Sequence, residues 1–289
     1  KPGQFEIVIG DIRVKERMDK LFSTFKPQII FHAAAYKHVP MMENNPSESI
    51  LTNVLGTKII ADLANTYKAE TFVLVSTDKA VNPTSIMGAS KRIGEIYVQS
   101  LNKKSTTKYI TTRFGNVLGS SGSVIPRFRQ QIENGGPVTI THPDITRYFM
   151  TIPEACQLVL EAGAMGKGGE IFIFDMGKSV KIVDLAKKMI QLSGMTLDKD
   201  IYIKYTGLRP GEKLYEELLN NSENTVPTHH GQILIAKVRE YDYETISGEI
   251  DSLVSLFDKQ DNLAIVGKMK QIVPEYKSNN SIFEKLDRK

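Results

Sequence analysis

Short apolar runs alternate with stretches of helical periodicity along most of the chain. The runs that predict strands lie at 5–9, 28–35, 71–76, 108–113, 137–140 and 170–175. The stretches that predict helices lie at 14–25, 46–66, 85–102, 124–134, 152–164 and 180–193. Alternation of this kind is typical of βαβ units whose strands form a parallel sheet. We therefore predict an α/β fold of the Rossmann type, a doubly wound parallel sheet.

The composition of the chain changes after about residue 112. A glycine- and serine-rich loop, "RFGNVLGSSGSVIPRF", follows residue 112, and the elements beyond Gly207 are shorter. We predict an NAD-binding core at 1–150, a mixed core with a small substrate lobe at 151–275, and a flexible polar tail at 276–289.

The predicted core lacks one expected signature. A dinucleotide-binding sheet carries a glycine-rich turn after its first strand. No G-x-G-x-x-G or G-x-x-G-x-x-G lies between a predicted strand and helix, and Gly115–Gly122 follows the wrong strand. If 5–9 and 28–35 are the third and fourth strands, the first two are missing. Topology then predicts roughly 50 or more residues upstream of this chain.

Composition narrows the class of protein. Hydrophobic residues make up 41% and charged residues 24% of the 289, and the net charge is +4. This charge is too small to indicate nucleic acid as a partner. No apolar run reaches the roughly 20 residues of a membrane helix, and the single cysteine, Cys156, fits a reducing, cytoplasmic compartment. The five histidines show no metal-ligand spacing, so we predict no metal.

Six motifs carry a family resemblance. In order they are "GDIR" at 10–13, "FHAAAYKHVPMMENNP" at 31–46, "TNVLGT" at 52–57, "STDKAVNPTSIMGASKR" at 76–92, "RFGNVLGSSGSVIPRF" at 113–128 and "GLRPGEKLYEELL" at 207–219. Together they resemble the extended short-chain dehydrogenase/reductases, in particular the UDP-N-acetylglucosamine 4,6-dehydratase group of bacterial capsular polysaccharide and O-antigen pathways. The resemblance covers about residues 5 to 220. It implies an NAD cofactor, a UDP-sugar substrate and a homo-oligomer, and it leaves open a longer chain tethered to the cytoplasmic side of a membrane.

The family reaction, carried over by resemblance, has three steps. The sugar is oxidised at C4, water is eliminated across C5–C6, and the hydride returns to C6. Asp78 fits the acid at O6 and Lys79 the base at C5. A free aspartic acid has a pKa of about 3.9 and a free lysine about 10.4, so each must shift. We expect burial to raise the pKa of Asp78, and positive charge from Lys91 and the nicotinamide to lower that of Lys79.

The usual catalytic tyrosine of the family is replaced by Met87, four residues before Lys91 on the predicted helix. A thioether has no proton to exchange, so Met87 cannot be the base at O4. The resemblance gives Lys91 the ribose hydroxyls of the cofactor. We expect Thr77 to relay the O4 proton with help from Lys91 or water, with Asp78 as the second route.

The remaining site residues follow from the same motifs. The resemblance implies cofactor contacts from Asp11, Ile12, Ala33, Ala34, Ala35, Tyr36 and Asn53. It implies substrate contacts from Lys37, Asn116, Ser123, Val124, Arg147, Arg209 and Glu212. Helix N-termini and guanidinium groups both suit phosphate, which supports Ser123, Val124 and the two arginines.

Two other functions stay open. A nucleotide-sugar 4-epimerase of the same family needs no elimination pair and normally relies on the tyrosine. A non-catalytic module that holds a UDP-sugar is the alternative from another class, because the glycine-rich cofactor turn is not found.

Overall fold

A mixed sheet forms the centre of the computed structural model, which describes residues 5–219 and 224–287. The strands are β1 (Ile29–His32), β2 (Thr71–Val75), β3 (Lys108–Arg113), β4 (Asn116–Val117), β5 (Val138–Ile140), β6 (Thr146–Arg147), β7 (Phe149–Met150), β8 (Ile171–Phe174), β9 (Val180–Lys181), β10 (Ile203–Tyr205), β11 (Asn224–Pro227) and β12 (Ile233–Lys237). The main sheet has the order β1-β2-β3-β8-β12-β11. Its first four strands are parallel, and β12 and β11 are added antiparallel.

Helices cover both faces of this sheet. They are α1 (Lys15–Phe25), α2 (Val39–Asn44), α3 (Pro46–Ser49), a π-helical segment (Ile50–Leu55), α4 (Gly56–Thr66), α5 (Ile86–Asn102), α6 (Val124–Glu133), α7 (Ile152–Met165), α8 (Ile182–Leu192), α9 (Tyr243–Ser255) and α10 (Asn262–Ile272). Short 3₁₀ turns lie at Asp78–Ala80, Phe257–Lys259 and Ile282–Leu286. The α/β fold with a parallel sheet is therefore confirmed.

Successive side chains of β2 supply opposite faces of the sheet. Phe72 and Leu74 join the core under α4 and α5, whereas Val73 joins the core under α7. All three are fully buried. A strand covered on both faces has no solvent side, which explains why its sequence is continuously apolar rather than alternating.

A smaller lobe has a core of its own. Phe128 and Ile132 from α6 pack with Val138 and Ile140 from β5 and with Ile190 from α8. The parallel pair β5 and β10 lies beside these helices. This lobe closes over the carboxyl ends of the central strands.

The strand predicted at 5–9 does not form. The side chains of Phe5, Ile7 and Ile9 are 79–87% exposed, and their backbone forms no β-ladder hydrogen bonds within the described residues. A strand requires a hydrogen-bonded neighbour, and none of the residues at 5–219 or 224–287 pairs with β1 on the side away from β2. The alternating pattern therefore remains an extended segment. The expectation of preceding strands is not tested by this finding.

The C-terminal region is more regular than its sequence suggested. Strands β11 and β12 extend the main sheet, and α9 and α10 pack against α5 in the larger core. The predicted frayed tail is corrected for 276–287, where Tyr276 and Phe283 are each 2% exposed. Residues 288–289 lie outside the described residues. The domain boundaries at 150 and 275 stay a prediction, and no described helix is long and apolar enough to cross a membrane.

Candidate functional site

A cavity of about 480 Å³ opens at the carboxyl ends of β1, β2 and β3, between the sheet and the small lobe. Many predicted site residues line it, namely Ala33, Ala35, Tyr36, Lys37, Thr77, Lys79, Met87, Lys91, Asn116, Ser123, Val124, Arg147, Arg209 and Glu212. Open α/β sheets place their ligands at this edge. Asp11, Ile12, Ala34, Asn53 and Asp78 do not line the cavity.

The turn after β2 brings an acid and a base together. The Asp78 N–H donates to the Phe114 carbonyl at 3.1 Å, which anchors the turn to the end of β3. Asp78 is fully buried, and its Oδ1 accepts hydrogen bonds from Thr77 Oγ1 at 2.8 Å and Lys79 Nζ at 2.9 Å. Its Oδ2 is buried and has no hydrogen-bond partner in the described part of the chain. Thr77 and Lys79 therefore connect this hidden carboxyl group to the cavity.

Lys79 is held by three oxygen atoms. Besides Asp78, its Nζ lies 3.3 Å from Asn116 Oδ1 and 3.4 Å from Glu216 Oε1. Burial lowers the pKa of Lys79, but the carboxylates of Asp78 and Glu216 raise it by more than burial lowers it, so the pKa lies above its ordinary value. The sequence-based expectation of a lowered pKa was wrong, because these two anions outweigh both burial and the positive charge of Arg147.

Met87 and Lys91 lie on one face of α5 and both contact the cavity. Ser85 caps this helix by accepting a hydrogen bond from the Gly88 N–H at 3.1 Å. Lys91 Nζ donates to the Val75 carbonyl at 2.8 Å. Burial lowers the pKa of Lys91 to about 8, although the charge of Glu95 opposes the shift.

A buried charge cluster lies behind the turn that follows β2. Glu95 accepts from Ser76 Oγ at 2.6 Å, from two Arg113 nitrogens at 2.9 and 2.7 Å, and from Arg92 at 3.0 Å. Burial raises the pKa of Glu95, but the arginines outweigh it and hold the value at about 2. Because Ser76 immediately precedes Thr77, its hydrogen bond to Glu95 fixes the position of the backbone at the start of the turn.

The predicted cofactor residues occupy two places. Asn53 is buried, accepts from the Tyr36 N–H at 2.7 Å and donates to the Tyr36 carbonyl at 3.0 Å. It therefore holds the loop after β1 rather than facing the cavity. Ile12 and Ala34 line a second, more open hollow of about 380 Å³. Asp11 is exposed, and hydrogen bonds from Arg13 lower its pKa.

The two arginines predicted to bind phosphate differ in how many of their N–H groups are already used in hydrogen bonds. The Arg147 guanidinium donates to the carbonyls of Thr146 at 2.7 Å and Lys213 at 2.9 Å, and it also contacts Glu212 at 3.6 Å. Arg209 is half-exposed and contacts Glu212 at 3.2 Å. Arg209 thus has more hydrogen-bonding capacity left for a ligand than Arg147 has.

The glycine- and serine-rich loop packs closely on the first half of the site. Gly122 has φ of +69°, and a Cβ there would lie 2.5 Å from the His38 ring. Lys37 Nζ reaches Ser120 Oγ at 3.5 Å. The hydroxyl of Ser123, at the N-terminus of α6, is buried and has no hydrogen-bond partner within 5–219 and 224–287. Small residues are required here because the loop touches the segment after β1.

The sequence missed two contributors to this region. Glu216 lines the cavity, and its motif was recognised without this residue being chosen. The C-terminal segment was read as a tail, yet Asn279 accepts from the Gly211 N–H through its carbonyl and donates to the Glu212 carbonyl at 2.7 Å. The family motif could have indicated Glu216. No local signal indicated Asn279.

Comparisons with known proteins agree on one family. A family model described as polysaccharide biosynthesis protein matches residues 3–238. The capsular polysaccharide biosynthesis protein CapD of Staphylococcus aureus is 53% identical over 92% of this chain and 44% of its own length. The UDP-glucose 4-epimerase of Rickettsia canadensis is 38% identical over 76% of this chain and 63% of its own length. The chain thus spans less than half of CapD.

Solved structures share the fold. Pen from Bacillus thuringiensis is 35% identical with a TM-score of 0.73, covering 82% of this chain and 73% of Pen. The dTDP-glucose 4,6-dehydratase DesIV from Streptomyces venezuelae, solved with NAD and TYD bound, has a TM-score of 0.65 over 72% of this chain and 70% of DesIV. At 22% identity, DesIV is evidence for the fold alone.

Proposed function

Because the chain belongs to the family of polysaccharide biosynthesis proteins, we propose that it dehydrates UDP-N-acetylglucosamine to the 4-keto-6-deoxy sugar with NAD. The observation that carries the proposal is the contact between Asp78 and Lys79. Their side chains meet at 2.9 Å beside a cavity large enough for a sugar. A dehydration needs one group that gives a proton to the leaving oxygen and one that takes a proton from carbon.

The described residues fit one side of NAD. Ala33 and Ala35 present small side chains at the carboxyl end of β1. Lys91 donates one hydrogen bond to the Val75 carbonyl, which leaves two N–H groups for ribose hydroxyls. NAD, when bound, supplies the acceptance and the return of a hydride. The roles of Asp11, Ile12, Ala34 and Asn53 toward this cofactor stay predictions.

The resting ion pair explains how the elimination begins. A proton shift from Lys79 to Asp78 turns ammonium and carboxylate into an amine and a carboxylic acid. The amine then takes the C5 proton, the Asp78 acid protonates O6 through the Thr77 hydroxyl, which lines the cavity, and water leaves, which restores the ion pair. When the hydride returns to C6, C5 takes a proton from Lys79 and Lys79 regains one from water, which balances the proton that O4 released. The raised pKa of Lys79 is compatible with this role because its proton moves only one hydrogen bond away.

The first proton must leave O4 when C4 is oxidised. Thr77 Oγ1 lines the cavity and is oriented by its hydrogen bond to Asp78 Oδ1 at 2.8 Å; it takes the O4 proton and passes one to water, so that Asp78 stays ionised for the proton of Lys79. Met87 occupies the adjacent wall and offers no exchangeable proton. Thr77 therefore remains our choice for this relay, supported by its hydrogen bond.

Substrate binding is proposed on the opposite wall. Lys37, Asn116, Ser123, Val124, Arg147, Arg209 and Glu212 surround that part of the cavity. The N-terminus of α6 and the half-exposed Arg209 suit a diphosphate. The homo-oligomer and the cytoplasmic location remain predictions of the sequence.

A 4-epimerase is the second candidate, because several relatives carry that name. It predicts a different product. The test is NMR of UDP-N-acetylglucosamine incubated in D₂O with the whole protein, including any sequence before or after these 289 residues. We expect a 6-deoxy-4-keto product with deuterium at C5. A C4 epimer with hydrogen retained at C5 would contradict the dehydration, and calorimetry showing UDP binding without NAD binding or product would favour a binding module.

A further inference from the structure

Glu216 is a buried carboxylate that the reaction described above does not use. Its side chain is 2% exposed, and the residue lines the cavity. Its Oε1 lies 3.4 Å from Lys79 Nζ and 3.7 Å from Arg147 Nε. Its Oε2 is buried and has no hydrogen-bond partner among the described residues. Burying a carboxylate is costly, so an incompletely paired one at a reactive lysine requires an explanation.

We propose that Glu216 is a positioning residue for Lys79, which it holds between two carboxylates at the cavity wall and keeps protonated until substrate binds. This inference rests on the proposed role of Lys79. Asp78 and Asn116 contact the same nitrogen at 2.9 and 3.3 Å. Three oxygen atoms therefore surround Nζ, and Glu216 supplies the one that comes from the distant "YEELL" segment.

The charges explain the effect on the proton. Asp78, Glu216 and Arg147 are the charged groups that act on Lys79. With Lys79 protonated, the two anions balance the two cations. Without the charge of Glu216, Lys79 would keep only the carboxylate of Asp78, and Arg147 would keep that of Glu212. The cationic form of Lys79 would then be less favourable, and its proton would leave more easily.

The geometry also gives Arg147 a role. Its guanidinium is 9% exposed and is bound by backbone carbonyls of the same segment that carries Glu216. Arg147 therefore fixes the position of Glu216, and Glu216 fixes that of Lys79. The chain of contacts links the small lobe to the turn after β2.

The test compares the reactivity of Lys79 in three variants of the whole protein. Glu216→Gln removes the charge, Glu216→Asp retracts it by one methylene, and Glu217→Gln is the matched control. Glu217 is adjacent, but its side chain is 46% exposed and contacts Lys213 rather than Lys79. Acetic anhydride labels only unprotonated amines, and mass spectrometry measures the labelling rate of Lys79 at about pH 8.

We expect Glu216→Gln to raise that rate at least about tenfold, because loss of an opposite charge at this distance shifts a pKa by about one unit or more. Glu216→Asp should fall between Glu216→Gln and the wild type, and Glu217→Gln should match the wild type. The alkaline limb of the pH profile of dehydration should move to lower pH in Glu216→Gln, because the resting ion pair then loses the Lys79 proton at lower pH. A merely structural role would not move that limb.

Unchanged Lys79 labelling in Glu216→Gln would overturn the inference. If that variant does not fold, the same absence of change in Glu216→Asp would overturn it. Labelling does not require turnover. A rate increase in a protein that makes no 6-deoxy product would therefore uphold the contact and refute the proposed reaction separately.

Discussion

At Gly88, helix α5 packs directly against the turn that follows β2, and we expect Gly88→Ala to destabilise the protein. A Cβ at this position would overlap the Lys79 carbonyl oxygen and would lie 3.1 Å from its carbon. Backbone atoms cannot rotate away as a flexible side chain can, so the helix and the turn must separate. Overpacking of this kind costs about 1–3 kcal/mol.

Gly94 on the same helix provides the control. The nearest atoms to a Cβ there lie at 3.6 Å, which is ordinary van der Waals contact. Both substitutions gain about 1 kcal/mol from the higher helix propensity of alanine. That gain cancels in the comparison, so Gly88→Ala should be about 1–3 kcal/mol less stable than Gly94→Ala. The free energy of unfolding is measured in urea for both variants.

Equal unfolding midpoints for the two variants would refute this reasoning. They would mean that the turn carrying Lys79 is not in contact with α5 as described. A second readout is the labelling rate of Lys79, because the displaced carbonyl belongs to that residue. We expect the rate to change in Gly88→Ala and to stay at the wild-type value in Gly94→Ala.

Three further perturbations test other parts of the structure. Glu95→Gln should lower the free energy of unfolding by about 3–5 kcal/mol, because the fully buried Glu95 pairs with both Arg92 and Arg113 and both ion pairs lose its charge; a loss below about 1 kcal/mol in urea would contradict this. Burial lowers the pKa of His32 from 6.5 to about 3. Between these two pH values the unfolded chain binds a proton that the folded protein does not, so the free energy of unfolding should fall by up to about 1.4 kcal/mol for each pH unit of acidification. His32→Gln should flatten the pH dependence of the urea midpoint in this window, and an unchanged slope would refute the assignment. Asn279→Ala removes the hydrogen bond to the Glu212 carbonyl and should cost about 1 kcal/mol. Calorimetry should also show weaker UDP binding. An unaltered affinity would show that the C-terminal segment does not support the segment that carries Arg209 and Glu212.

Local sequence signals predicted the elements that are stabilised locally or buried on all sides. The run at β2 is apolar throughout because both faces of the strand are covered, and α5, predicted from residue 85, is capped locally by the Ser85 side chain. These elements begin within two residues of their predicted positions. Turn residues at a strand end also predicted that Thr77 and Lys79 would face one cavity.

The sequence did not indicate the elements whose formation depends on residues far away in the chain. The alternation at 5–9 is typical of a strand, but a strand needs a neighbour. Polar composition at 276–287 concealed Tyr276 and Phe283, which become buried only through contacts with distant segments. Helix α2 was missed because Pro40 and the two methionines after it show no helical period.

The electrostatics of the site depend on the same kind of contact. The motif that contains Lys79 indicated an amine at the cavity, but the direction of its pKa shift depends on Glu216, which is far away in the sequence. The cluster of Glu95, Arg92 and Arg113 was likewise hidden, since each of these charges alone resembles a surface residue. Their partners are defined only by the fold.

The most direct test of the central claim is a single turnover of Lys79→Ala in the whole protein with NAD and UDP-N-acetylglucosamine. Absorbance follows the reduced nicotinamide, and NMR follows the sugar. We predict that the sugar is oxidised at C4, that reduced nicotinamide accumulates, and that no water is eliminated. Elimination at the wild-type rate would contradict the account, because Lys79 would then not be the group that removes the C5 proton.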